Sequence, residues 1–426
     1  MADSPQDGNS VPAPPRASSS SGSSGWHAIT AGYFGWALDA FDFFTLVFLV
    51  DLLAIQFQVS KSAIVWTLTI TLAMRPVGAI LFGLLTDRYG RRGPLIAVVI
   101  FFSLIEFLCG FAPSFSVFLL LRALYGIGMG GEWGVGASLA MESVPARRRG
   151  IVSGFLQSGY PVGYLLAALA ARFLLPVGGW RAMFWVGGAA GALLPFYVWA
   201  CVPESEAWRQ HRVASTGAIV RTTFKNPKNL FYLVLMMTLM MFLSHGTQDL
   251  YPDFLKTAHH ITSRAVSEMA ILYNVGAVLG SMLFGQLSEM FGRRRIINAA
   301  LILSLISIPA WAFGGSWATL AAGSCLMQVG VQGAWGIIPA HLNELSPDAL
   351  RGLIPGFVYQ LGILIASPTN TVEYALRDRL GYSWALTCFE TLTIVLLAIV
   401  VALGPERRGK SFLREAQAEE QAVNLE

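Results

Sequence analysis

Apolar residues run along this chain in blocks of about twenty, each closed by a short polar or basic stretch, and such a block is long enough to cross a hydrocarbon layer about 30 Å thick as one helix. Blocks of this kind fall near 28–52, 62–86, 94–112, 115–140, 151–175 and 181–202, and again near 230–255, 265–287, 296–314, 317–341, 352–374 and 383–404. The pattern predicts an all-α membrane protein of twelve transmembrane helices, six plus six. The second set is nearly the first shifted by 202 positions, and single residues keep that offset. Gly83, Asp87, Gly90 and Arg91 return as Gly285, Glu289, Gly292 and Arg293; Glu142, Arg149 and Gly150 return as Glu344, Arg351 and Gly352; Pro203 and Glu204 return as Pro405 and Glu406. A duplicated membrane half is how many secondary transporters are built, with the substrate site between the halves.

Composition agrees with a lipid setting. Of 426 residues 54% are hydrophobic and 13% charged, with mean hydropathy +0.57, whereas a soluble domain carries about a quarter charged residues. The four cysteines are scattered without metal-ligand or disulfide spacing, so no metal is expected. Residues 1–25 are rich in Ser, Gly and Pro, lack the order of a cleaved signal peptide, and read as a disordered cytoplasmic tail. The expected organisation is an N-terminal bundle over 26–203, a cytoplasmic linker over 204–228, a C-terminal bundle over 229–405 and a second cytoplasmic tail over 406–426. Most of the 29 Lys and Arg fall in loops on the side of the two termini, including Arg88, Arg91, Arg92, Arg147, Arg148, Arg149 and Arg293 to Arg295. Positive loops stay cytoplasmic, so both termini are expected inside, and the short loops and tails favour a bacterial inner membrane. The net charge of +4 therefore describes topology and gives no reason to expect nucleic acid.

The Gly83, Asp87, Arg88, Gly90, Arg91, Arg92 loop resembles the signature of the major facilitator superfamily, and its weaker copy from Gly285 to Arg294 fits the same pattern. Pro203, Glu204, Ser205 and Trp208 are similar to an element that follows the sixth helix of sugar-porter-like members. In the seventh helix, Ser244, His245, Thr247, Gln248 and Asp249 resemble an element of the sialate:proton symporter family, with Met241 and Asp253 standing where that element has Asn and Thr. The run from Gly35 to Phe44 is similar to that family's first helix. The middle of the chain has no room for the extra helices of its sialic acid permeases, so the resemblance points to the monocarboxylate (lactate and pyruvate) permease branch. It implies a major facilitator fold and a monomer. It also implies that Asp87, Arg88, Arg91, Glu289 and Arg293 act as a cytoplasmic gate; Glu142, Arg149, Glu344 and Arg351 share that latch-like placement.

Ionisable side chains near the bilayer centre cost about 2.5–3.5 kcal/mol each by insertion scales and are site candidates by default. Arg75, Asp39, Asp42 and His245 all lie near mid-span. Asp39 and Asp42 share a helix face, as do His245 and Asp249, and Ser244 and Gln248. Gly246 and Pro252 are expected to let the seventh helix unwind beside a ligand. Arg75 is the expected anion site because its planar fork binds a carboxylate bidentately. His245, Gln248, Gln360, Tyr160, Asn274 and Arg122 are further candidates for substrate contact. A carboxyl group in a poorly hydrated cavity can hold a proton near neutral pH, which makes Asp42, Asp39 and Asp249 candidate proton carriers, with His245 sharing the proton. For the amides among these residues the plainer reading is helix–helix hydrogen bonding. Glu106 and Glu390 have no evident role. The glycine run from Gly126 to Gly134 lacks the Lys and Ser/Thr of a phosphate loop and reads as close helix packing.

The expectation is proton-coupled symport of a short monocarboxylate such as L-lactate or pyruvate by rocking of two bundles. The proton is the coupling ion; no cofactor and no enzymatic activity are expected. The alternatives are a proton symporter of a larger aromatic or sialic acid, and a membrane sensor that binds its ligand without moving it.

Overall fold

The computed structural model describes residues 21–212 and 215–413. Most of the expected N-terminal tail (1–20), two linker positions (213–214) and residues 414–426 of the expected C-terminal tail lie outside the described residues. Within them the chain is helical, with no strand. The first half contains α1 (Ser21–Phe57), α2 (Lys61–Tyr89), α3 (Arg92–Cys109), α4 (Phe115–Glu142), α5 (Arg149–Gln157), α6 (Gly159–Phe173) and α7 (Leu175–Cys201). Two short helices follow, α8 (Glu206–His211) and α9 (Thr216–Thr223). The second half contains α10 (Pro227–Gln248), α11 (Tyr251–Thr257), α12 (Ser263–Phe291), α13 (Arg293–Phe313), α14 (Trp317–Trp335), α15 (Ile338–Leu345), α16 (Ile354–Ala366), α17 (Thr369–Leu380) and α18 (Tyr382–Leu403). By length and composition, α2, α3, α7, α10 with α11, α12, α13 and α18 give seven membrane-crossing helices. The other five spans are α1 and α4, which carry buried charge, and the pairs α5–α6, α14–α15 and α16–α17. Together they make the twelve spans of a major facilitator fold.

The duplication is visible in how the helices are started and stopped. The Ser60 side chain accepts from Ala63 N at the start of α2, and Thr262 accepts from Ala265 N at the start of α12. Ser114 caps α4 as Ser316 caps α14. Each oxygen satisfies a backbone donor that the first helical turn leaves without a partner. After α2 and α12 the chain reverses at Gly90 (φ 113°) and Gly292 (φ 97°), where a side chain would be strained. The repeated glutamates then have a local cause. Glu204 accepts the N–H groups of Arg91 and Arg92 at the start of α3, and Glu406 accepts those of Arg293 and Arg294 at the start of α13. A carboxylate at a helix N-terminus meets both free donors and the positive end of the helix dipole.

The glycine run in α4 is a packing surface. A Cβ at Gly126 or Gly130 would collide with the backbone carbonyls of Thr71 or Arg75 on α2. Gly280 of α12 meets the Val329 backbone of α14 in the same way, so each half holds one closely packed helix pair.

The 204–228 segment is partly helical and bound: Trp208 Nε1 donates to the Asp87 carbonyl at 2.9 Å, and Arg88 Nη1 donates to Thr216 Oγ1 at 3.0 Å. Four spans are broken near mid-membrane or beyond it, at Ser158, at Asp249–Leu250, at Gly336–Ile337 and at Ser367–Pro368. The seventh span breaks between Gly246 and Pro252 and not at either residue.

Candidate functional site

Arg75 lies midway along α2 and is 3% exposed. Its Nε and Nη2 have no hydrogen-bond partner among the described residues. These two nitrogens form one edge of the guanidinium. The same edge grips a carboxylate twice elsewhere in this molecule. Arg91 donates from Nε and Nη2 to the two oxygens of Glu142 at 3.0 and 2.9 Å, and Arg293 does so to Glu344 at 3.1 and 2.9 Å. Arg75 thus presents, at mid-membrane, an edge shaped for a carboxylate with none on it.

The surroundings of Arg75 come from both halves. It acts electrostatically on Asp39 and Glu132, on Tyr160, and across the seam on Tyr359 and His245. Aromatic rings wall this region. Trp36 stacks on Tyr160 at 5.4 Å between centroids, Trp133 stacks on Tyr359 at 4.3 Å, and Trp335 meets Tyr359 edge-on. Sequence reasoning did not assign Trp36, Trp133 or Tyr359 to the site. The available signal was depth: tryptophan concentrates at membrane interfaces, and these two are mid-span.

On the seventh span, His245 Nδ1 faces Asp249 Oδ2 at 3.1 Å, and Asn370 Nδ2 of α17 donates to the same oxygen at 3.1 Å. Both side chains of the His245–Asp249 pair keep about a third of their exposure, 32% and 36%. Gln248 Nε2 donates to Gln328 Oε1 at 3.0 Å within the second half. Gln360 is fully buried at the seam, with Nε2 donating to the Gly130 carbonyl at 3.4 Å. Asn274 donates to Ala270 of its own helix and stays half-exposed.

Two of the expected residues lie elsewhere. Arg122, expected to touch substrate, is fully buried inside the first half; it is paired with Glu106 and lies over the rings of Tyr125, Phe118 and Phe184. That pairing gives Glu106 a partner and holds Arg122 inside the first half. Asp42 is buried against Gly187 of α7 and turned away from the second half. Asp39 is also fully buried, near Arg75. Glu390 joins Glu373 against Gly246, beside the break in the seventh span, and no oxygen of either carboxylate has a partner among the described residues.

At the basic face the halves are closed. Asp87 accepts the N–H groups of Gly352 and Leu353 at 2.8 and 3.0 Å, and Glu289 accepts that of Gly150. Arg91 also holds Asp87 at 2.6 Å, Arg293 holds Glu289 at 2.7 Å, and Arg351 reaches Glu142 at 3.9 Å and pairs with Asp348. Arg149 of the first half and Arg351 of the second lie over the ring of Phe412 at 3.2 and 3.7 Å. Arg149 also donates to the Lys410 carbonyl at 2.5 Å. Among the described residues there is no group of His, Cys, Asp and Glu able to hold a metal.

Comparison with known proteins places this architecture. Residues 32–251 match the family model described as Major Facilitator Superfamily, and residues 229–424 match the model described as Sugar (and other) transporter. A carboxylic acid transporter protein homolog of Saccharomyces cerevisiae is 31% identical over 83% of this chain, which spans only 62% of that protein. A probable 4-methylmuconolactone transporter of Cupriavidus pinatubonensis is 29% identical over 93% of this chain and 94% of its own length. A sialic acid transporter of Escherichia coli is 25% identical over 87% of this chain and 93% of its own. A solved proton:xylose symporter shares the fold with a TM-score of 0.76 at 18% identity, covering 92% of this chain and 98% of that one. With the first of these models spanning more than half of its 426 residues, the chain belongs to the major facilitator superfamily.

Proposed function

We propose that the protein is a proton-coupled symporter of short monocarboxylates such as L-lactate or pyruvate, working as a monomer by alternating access between its two bundles. The observation that carries this reading is the empty Nε/Nη2 edge of Arg75 at mid-membrane, since a buried guanidinium calls for an anion and that edge fits a carboxylate. The stacked rings of Trp36, Tyr160, Trp133 and Tyr359 crowd the region and favour a small acid over a large one. Relatives described as carrying carboxylic acid, muconolactone and sialic acid support an organic acid as the cargo.

An anion entering a cell against an inside-negative potential meets about 2.3 kcal/mol per charge per 100 mV. One proton carried with one monoanion makes the step electroneutral and removes that cost. We take the basic face as cytoplasmic and the membrane as a bacterial inner membrane. The closed basic face then corresponds to the conformation that loads from outside, with His245 and Asp249 reachable from that side. In proteoliposomes, L-lactate entry should accelerate with an inward proton gradient and vanish in Arg75→Ala. Entry indifferent to the gradient rules out coupling.

A second reading is a proton symporter of a larger acid. It is favoured by the full-length bacterial relative described as a probable 4-methylmuconolactone transporter. Competition of aromatic, lactone and sialic acids against labelled L-lactate separates the two.

A further inference from the structure

Glu132 lies on α4 about ten residues, or roughly 15 Å, from the basic end of that helix. It is fully buried, and neither carboxylate oxygen has a partner among the described residues. A carboxylate in that state is costly unless it is compensated or protonated. The fold makes room for it: a Cβ at Gly35 of α1 would collide with Glu132 Oε1, and one at Gly136 would stand 3.2 Å from the same oxygen. The side chain borders a cavity of about 10 Å³, close to the space one water needs. The cavity is lined by Gly32, Trp36, Trp133, Ala137 and Leu156 from the first half and by Pro339 of α15 from the second. Glu132 therefore sits at the seam itself, unlike Asp42, which is turned into the first bundle.

The charged groups that act on Glu132 are Asp39 of α1 and Arg75 of α2. The cavity residues contributed by α5 and α15, Leu156 and Pro339, carry no charge. On the side toward the second half its neighbour Trp133 is covered by Tyr359 of α16. When the halves part at the basic face, α15 and α16 withdraw, and the wall that closes the Glu132 cavity goes with them. Arg75 and Glu132 are then one cation and one acid on adjacent helices, joined to the same opening.

We propose that Glu132 carries the coupling proton: it holds H⁺ on a carboxylate oxygen while the basic face is closed, and gives it to water on the basic side once Pro339 and Tyr359 move away. This rests on the symport reading above and names the residue that reading leaves open. The emptied carboxylate then faces Arg75, which has released its anion, so the net charge around Arg75 and Glu132 is the same before and after release.

The test has two parts. In proteoliposomes with L-lactate, wild type should accumulate about tenfold across a one-unit pH gradient, the ratio that one proton per anion sets. Glu132→Gln should lose that accumulation yet keep lactate counterflow at equal pH, which needs no proton release, and Glu132→Asp should restore gradient-driven uptake. Gradient-driven uptake that persists in Glu132→Gln, or equal loss of uptake and counterflow, overturns the proposal. Wild type that ignores the gradient overturns the symport reading itself, and this assignment with it. The second part needs no substrate. Trp36 and Trp133 line the same cavity, so the pH titration of tryptophan fluorescence in detergent should contain a component absent from Glu132→Gln. Identical titration curves for the two proteins overturn the assignment.

Discussion

Asp87 accepts the backbone N–H of Gly352 at 2.8 Å, and 202 positions on Glu289 accepts that of Gly150, so each half caps the other with the same carboxylate. The glycines are required by the approach: a Cβ at Gly352 would stand 2.7 Å from Asp87 Oδ1. A hydrogen bond to a charged acceptor contributes about 1.5–3 kcal/mol, so Asp87→Asn should favour the conformation open at the basic face by roughly 10- to 100-fold. Spin-label distances between the loops after α2 and before α16 should lengthen. Unchanged distances would show that Asp87 does not hold the closed state.

Arg75→Lys keeps the positive charge and removes the two-nitrogen edge. A point charge cannot hold both carboxylate oxygens in one plane. Apparent KM for L-lactate should rise by about tenfold, equivalent to about 1.4 kcal/mol, with protein yield and melting temperature near wild type. A lysine variant with normal KM would point to simple charge attraction.

Arg122 and Glu106 should behave as a structural pair. Removing one partner of a buried ion pair costs about 3–5 kcal/mol because the other charge is left uncompensated, whereas replacing both with apolar residues is often neutral. Arg122→Leu should therefore lower the melting temperature strongly, and Arg122→Leu with Glu106→Leu should recover most of it. If the double variant is stable but fails to transport, Arg122 has a part in the cycle beyond packing.

Phe412 between Arg149 and Arg351 ties the C-terminal segment across both halves. Cation–π contacts in a desolvated site are worth about 2 kcal/mol, so Phe412→Ala should loosen the basic face and raise its hydrogen exchange. The neighbouring Asp348 helps anchor this segment, pairing with Arg351 and with Lys410 at 2.6 Å. Burial favours its neutral form, but Arg351 and then Lys410 outweigh burial and hold its carboxyl below the ordinary range. A carboxyl depressed in the folded state contributes fully above its unfolded value, near ~4, and loses that contribution only as pH falls through the folded value. The Phe412→Ala effect should accordingly be the same between about pH 5 and pH 7. A marked pH dependence in that window would mean that another group governs the segment.

The chain by itself fixed the helices and the doubling. Hydropathy gives span number and depth, and the 202-residue repeat of Ser60 with Thr262, Gly90 with Gly292 and Glu204 with Glu406 sets where each helix starts and turns. Those features are local, decided within a few residues by caps, backbone angles and apolar length. Depth also brought out Arg75, His245, Asp39 and Asp42, and the shared helix face added Asp249 to His245. What it could not supply was direction around the helix axis. Arg75 and Arg122 are both arginines well inside a span, yet one keeps a free edge at mid-membrane near the seam and the other is closed in with Glu106 among Tyr125, Phe118 and Phe184. In a helix buried on most sides, apolar residues surround every face, so no periodicity marks which one meets the other half. That choice belongs to helix packing: Gly126 and Gly130 bring α4 onto α2, Gly187 makes space for Asp42, and Gly35 makes space for Glu132. Only the assembled bundles decide which buried charge is paired off and which is left facing the seam, because the partner that satisfies it comes from a distant part of the chain.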